Sequence, residues 1–193
     1  MQRRRRSPDE ARSEALAVAR KLLIENGPYA VTLKAVADAL GVSHTNILHH
    51  FGTASELQSE LMSAMVRDLA AALMGAVAQL RSDTGAPRAL IDIVFDAFDK
   101  GGAGRLGAWI VLSGNIEYFA PVREAVDELV LALEEKFAHE KGDPHLGVTS
   151  AVLFIALMAF GDSMIGEPLK QMLDREPSTA RKVTGFLLPK FFL

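Results

Sequence analysis

The stretch Thr32 to Phe51, TLKAVADALGVSHTNILHHF, constrains the fold most, because its spacing suits two short helices joined by a tight turn. Thr32 can cap a first helix that places Leu33, Val36, Ala37 and Leu40 at helical spacing. Gly41 supplies the left-handed residue that ends it, and Val42 follows as a small apolar plug. Ser43 then caps a second helix with Ile47, His50 and Phe51 on one face and His44, Thr45, Asn46 and His49 on the other. Ala37 is small enough to let the two helices cross closely, and the polar face suits a DNA major groove. An ordinary helical hairpin in an all-α core would show the same apolar pattern, so the rest of the chain has to decide.

Charge is divided along the sequence. Residues 1–52 carry eight Lys/Arg against five Asp/Glu, a net of +3, whereas residues 53–193 carry thirteen against nineteen, a net of −6. A basic head on an acidic body suits a polyanionic partner for the head and a different task for the body. With no cysteine, disulfides, thiol catalysis and thiolate metal sites are excluded, and the chain suits a reducing cytoplasm. Arg3, Arg4, Arg5 and Arg6 are followed by Ser-Pro-Asp-Glu rather than an apolar run, so they form no secretory signal. The most hydrophobic stretch, Ala151 to Phe160, is ten residues, about half of the ~20 that a spanning helix needs. The chain is therefore expected to be soluble, with no membrane partner.

Read in order, Ser7-Pro-Asp-Glu10 is a helix start, with a capping serine, proline at the first helical position and a capping-box glutamate. That helix runs to Asn26 with Ala15, Leu16, Ala19, Leu22 and Leu23 in one stripe, and Gly27-Pro28 stops it. It completes a three-helix head. A long helix starts near Ala54 and carries Leu57, Leu61, Met65, Leu69, Leu73, Val77 and Leu80. Nothing flexible separates it from the head, so it can carry movement between body and head. Helices are then expected near 87–100, 106–116, 121–140, 147–173 and 178–188. The reading is an all-α chain of about nine helices, divided into a helix-turn-helix DNA-binding domain at 1–53 and a helical body at 54–193. The helix from Gly147 is apolar on nearly all sides until Phe160, so it must be buried in a core or against a partner.

From Ala15 to Leu57 the chain resembles the TetR family of bacterial transcriptional regulators. The resemblance is carried by Leu22-Leu23-x-x-x-Gly27, Thr32, Ala37, Gly41-Val42-Ser43, Ile47, His50-Phe51 and Glu56-Leu57. It implies a protein without catalytic activity or cofactor. It also implies a homodimer, paired through helices near 147–173 and 178–188, that binds a palindromic operator and is released by a small effector in the body. Three positions depart from the usual pattern: Thr45 replaces a glycine, Leu48 a tyrosine that often reaches a phosphate, and Ala54 a lysine that often grips the backbone. The arginine arm can compensate for the missing phosphate contacts.

His44, Thr45, Asn46 and His49 are the candidates for reading base edges: asparagine suits adenine, threonine a thymine methyl, and imidazoles purine acceptors. Arg3, Arg4, Arg5, Arg6, Thr32, Lys34, Ser43 and Thr53 are candidates for the DNA backbone, although capping alone accounts for Thr32 and Ser43. A metal reading of the histidines fails on spacing, because the residue four on from His44 is Leu48. An effector pocket framed by the helices near 87–100, 105–119, 121–140 and 147–165 would draw on Phe95, Phe98, Trp109, Phe119, Phe137, Phe154, Met158 and Asp162. Such a pocket would be mostly apolar and suit an apolar or aromatic ligand. Asp162, a carboxylate in an apolar body, needs a partner, either a ligand's polar group or an arginine across the dimer. Gly102-Ala-Gly104-Arg-Leu-Gly107 matches a dinucleotide-loop pattern but lacks the strand that mechanism requires. Gly161-Asp-Ser163, with His145 as an imagined base, similarly lies late in an apolar helix rather than after a strand. The alternative reading is a helical enzyme or a small-molecule-binding module whose helix-turn-helix is only structural.

Overall fold

In the computed structural model, which describes residues 7–79, 86–114, 120–137 and 144–192, the backbone is helical wherever it is regular. The elements are α1 (Pro8–Asn26), α2 (Leu33–Leu40), α3 (His44–Phe51), α4 (Ala54–Gln79), α5 (Ala86–Phe98), α6 (Ala103–Leu112), α7 (Ala120–Phe137), α8 (Pro144–Gly161), α9 (Glu167–Met172) and α10 (Thr179–Leu187). A π turn, Asp162–Gly166, joins α8 to α9, and 3-10 turns lie at Pro28–Ala30 and Leu188–Phe192. The all-α expectation is met. Two compact units form, one from residues 1–64 with 106–122 and the other from 65–105 with 123–193.

The first unit follows from local chemistry. Ser7 accepts from the Glu10 backbone and the Glu10 carboxylate accepts from the Ser7 backbone, so the capping box of α1 is complete. Gly41, at φ 65°, ends α2 in the left-handed conformation that only glycine adopts without strain. Ala15, Ala19 and Leu23 of α1, Val36 and Ala37 of α2, Ile47 and Phe51 of α3, and Leu57 and Leu61 of α4 are all buried. At roughly 1.5–3 kcal/mol for each large apolar side chain, this shared core outweighs the weak propensity of helices as short as α2 and α3. Inside it, Gln58 donates from Nε2 to the Val31 carbonyl at 3.0 Å, satisfying a buried amide.

The second unit is built around Leu73, Ile91, Val94, Phe95, Leu129, Ala151, Ala159 and Leu188. Arg181 of α10 pins that helix to α5, donating to Asp92 at 3.0 Å and Asp96 at 2.6 Å, with its guanidinium over the Phe95 ring. Burial by itself would raise the Asp96 pKa, but hydrogen bonds from Arg181 and Lys100 outweigh it and hold the carboxyl below its ordinary value. The glycine run before α6 opens a turn: Gly102 has φ 80°. A Cβ on Gly104 would stand 2.1 Å from Ser163 Oγ, so this close approach requires glycine.

The apolar stretch is longer than its ten-residue core suggested. Through the π turn, His145–Met172 is a helix of 28 residues, and its most apolar 18-residue window has a mean hydropathy of 1.9, so by length and composition it could cross a membrane. Only 17% of that apolar window is buried within the chain, so of the two expected covers, a core or a partner, one copy's core supplies little. Leu153, Leu157, Ile165 and Met172 along it, with Val183 and Phe186 on α10, are exposed.

Candidate functional site

Helix α3 is short and anchored from below. Ser43 Oγ accepts from the Asn46 amide at 3.2 Å and starts α3, while Ile47 and Phe51 are 2% and 4% exposed. With those two residues inward, helical periodicity turns His44, Thr45, Asn46 and His49 outward, and all four are exposed. Leu48 joins them on the exposed side at 41%. The His49 and His50 rings lie 6.0 Å apart, tilted at 57°.

The backbone candidates flank this face at helix starts. Thr32 Oγ1 accepts from Ala35 at 3.1 Å, and Thr53 Oγ1 accepts from Glu56 at 3.1 Å while the Glu56 carboxylate accepts from the Thr53 amide. Each capping hydroxyl accepts, so its own proton stays available to donate to a phosphate. Lys34 is exposed in the first turn of α2. Arg3, Arg4, Arg5 and Arg6 lie outside the described residues.

Arg12, to which the sequence pattern assigned no role, ties the head together. Its Nη1 donates to the His50 carbonyl at 2.6 Å, its Nη2 pairs with Glu60 of α4 at 2.6 Å, and its guanidinium lies 4.8 Å from the Phe51 ring centroid. A signal was present: Arg12 falls three residues before Ala15 and seven before Ala19, so a cation stands on the buried stripe of α1.

The second unit contains a cavity of ≈ 180 Å³. Val66, Leu69 and Leu73 of α4 and Leu90, Val94 and Phe98 of α5 form one part of its wall. Val126, Leu129 and Leu133 of α7, residues of α8 from Val148 to Ala156, and Leu188 form the rest of the described wall, in which every residue is apolar. Of the residues proposed from sequence that are described, only Phe98 lines it. Phe95 is core, Phe154 packs on Phe191 with ring centroids 5.1 Å apart, and Met158 packs against the core cluster. Trp109 belongs to the first unit and is 38% exposed. Phe119 and the Phe137 side chain lie outside the described residues. Among the described residues the wall also draws on α4, whose leucines the sequence pattern marked only as a packing stripe; residues 115–119 of the expected 105–119 wall lie outside the described residues.

Asp162 is paired within its own chain, not with an arginine: Lys170 donates to it at 3.0 Å and also to the Pro177 carbonyl at 3.0 Å. Ser163 donates to the Phe160 carbonyl at 2.8 Å, and His145 Nδ1 lies 2.5 Å from Glu134. These groups form structural pairs, not a nucleophile block.

An eight-residue capped helix with an outward polar face, seated on a small three-helix core, defines the head as a helix-turn-helix of the DNA-binding class. Residues 15–61 match the family model described as bacterial regulatory proteins, tetR family, so this head is similar to the DNA-binding head of those transcriptional regulators. Solved structures share the fold over the whole length. A TetR-family transcriptional regulator from Pectobacterium atrosepticum aligns with a TM-score of 0.71 and 18% identity, covering 99% of this chain and 96% of its own. The fatty acid degradation regulator FadR from Bacillus halodurans aligns at 0.67 and 13%, covering 96% of each chain. A transcriptional regulator from Saccharomonospora viridis in complex with choline aligns at 0.60 and 16%, covering 95% of each. None of the curated proteins compared with this chain matches it.

Proposed function

We propose that this chain is a dimeric, cytoplasmic repressor without catalytic activity, released from a palindromic operator by a small apolar or aromatic effector. The observation that carries the reading is the outward set His44, Thr45, Asn46 and His49 on a helix held from beneath by Ile47 and Phe51. In this reading residues 1–53 bind DNA and residues 54–193 bind the effector and the second copy, with the continuous α4 linking the two functions. Arg3 to Arg6, Lys34 and the capping hydroxyls of Thr32, Ser43 and Thr53 supply phosphate contacts.

The effector takes the cavity of the second unit. Among the described residues its lining offers no hydrogen-bonding side chain, which favours a neutral hydrocarbon surface over a charged one. The Saccharomonospora viridis protein of similar fold was solved in complex with choline, a cation; the described wall here carries no anionic side chain. The exposed apolar residues of α8, α9 and α10 supply the surface for the second copy, covering what one chain leaves open.

The test is selection of duplexes from a random pool by the full-length protein. A palindromic consensus, abolished on replacing His44, Thr45 and His49 together by alanine with the helical content unchanged, is the expected result. Intact dimer with no sequence preference would overturn the reading. Release of the selected duplex by benzene or n-hexane, but not by choline, is expected for the effector assignment.

A further inference from the structure

We propose that Arg12 is a positioning residue for the reading helix: it sets the angle at which α3 presents its polar face, and so contributes to sequence discrimination without touching DNA. This rests on the reading of α3 as the groove helix. With only eight residues, His44–Phe51, α3 has few hydrogen bonds of its own, and helices this short take their orientation from what holds them. Its start is held by the Ser43 cap and its underside by Ile47 and Phe51. Its far end is where backbone carbonyls lack intrahelical donors. There the Gly52 amide donates to the Leu48 carbonyl at 2.8 Å, and Arg12 donates to the His50 carbonyl at 2.6 Å.

The guanidinium does more than cap. A cation at the C-terminal end of a helix is favoured by the aligned peptide dipoles, and the fork fixes two directions at once, so the Glu60 contact at 2.6 Å and the His50 contact define one geometry. The Phe51 ring, 4.8 Å away, closes the third side. One side chain thus references the last turn of α3 to both α1 and α4. Base contacts tolerate only small displacements, so slack at this end shows as weaker discrimination. Glu60 already pairs the cation, which argues against a phosphate contact.

The experiment uses the full-length protein, the duplex it selects from a random pool, and a scrambled duplex of the same composition, titrated across a salt series well below the melting temperature of every variant. R12Q is expected to lower the ratio of selected to scrambled affinity by about tenfold, roughly the worth of one base contact. The slope of log affinity against log salt should stay unchanged. R12K keeps the charge but holds one partner at a time, and its ratio should lie nearer R12Q than the unaltered protein; E60Q, which keeps Arg12 but removes one tie, should fall in the same direction. Equal weakening on both duplexes with a slope reduced by about one would make Arg12 a phosphate contact and overturn the proposal. A lowered melting temperature with an unchanged ratio, or full recovery by R12K, would overturn it as well. If the unaltered protein selects no sequence, the groove reading of α3 itself falls.

Discussion

Replacing Ala151 by leucine tests the cavity directly, because Ala151 is 5% exposed and lines it. At about 24 cal/mol per Å³, a void of ≈ 180 Å³ represents up to about 4 kcal/mol of missing packing. Leucine adds about three methylene equivalents at ~0.8 kcal/mol each, or about 2.4 kcal/mol, all on the cavity side of α8. Imperfect fit against the Val94 and Leu129 side of the wall takes back about 1 kcal/mol. The net gain of about 1–2 kcal/mol converts to a rise in Tm of roughly 3–6 °C for a chain of this size. The measurement is thermal unfolding by circular dichroism at fixed protomer concentration, since melting of an associating protein shifts with concentration. Benzene should raise the Tm of the unaltered protein and leave A151L nearly unmoved, and A151L should stay on DNA in its presence. A fall in Tm on introducing leucine would mean that the space is not open to a side chain there. An undiminished benzene response would place the ligand elsewhere.

Removing residues 1–6 should flatten the salt dependence of DNA binding, the slope falling by about 0.9 for each phosphate the arm neutralises, measured by titration on the selected duplex; equal slopes would leave the arm without a role. Phe186→Asp, at a side chain 74% exposed on α10, should drive sedimentation from dimer toward monomer while helical content is kept. Gly104→Val should destabilise the protein by about 1–3 kcal/mol in chemical unfolding, because its side chain would meet Ser163 Oγ and the Phe98 carbonyl. Asp96 has its pKa lowered in the fold from the ordinary 3.8, so its stabilising contribution is fully present above that value and disappears as pH falls through the lower folded value. Unfolding midpoints of the unaltered protein and of Asp96→Asn should converge as pH falls below about 4.

The head was legible because what makes it acts between near neighbours. The Ser7, Thr32 and Ser43 caps, the left-handed Gly41 and the inward Ile47 and Phe51 are each set by residues within a few positions. They appear in the sequence as spacing. The division into an outward polar face and a buried face follows from the helical period alone, so the exposure of His44, Thr45, Asn46 and His49 was legible without coordinates.

Tertiary structure decided the rest, for two physical reasons. A cavity lies where side chains from several helices fall short of one another, and residue size does not reveal that. Phe95, Phe154 and Trp109 stand out in the sequence as large aromatics, yet the wall is mostly Val, Leu, Ile and Ala from α4, α5, α7 and α8. Charged ties likewise depend on which distant residues the fold brings together: Arg12 meets His50, Arg181 meets Asp92 and Asp96, and Lys170, not an arginine, answers Asp162. The amino-acid sequence by itself determined an all-α chain with a polar-faced reading helix, because helical period and capping are local. Where the cavity opens and what braces α3 were decided only by packing, because both arise between segments that are far apart in the chain.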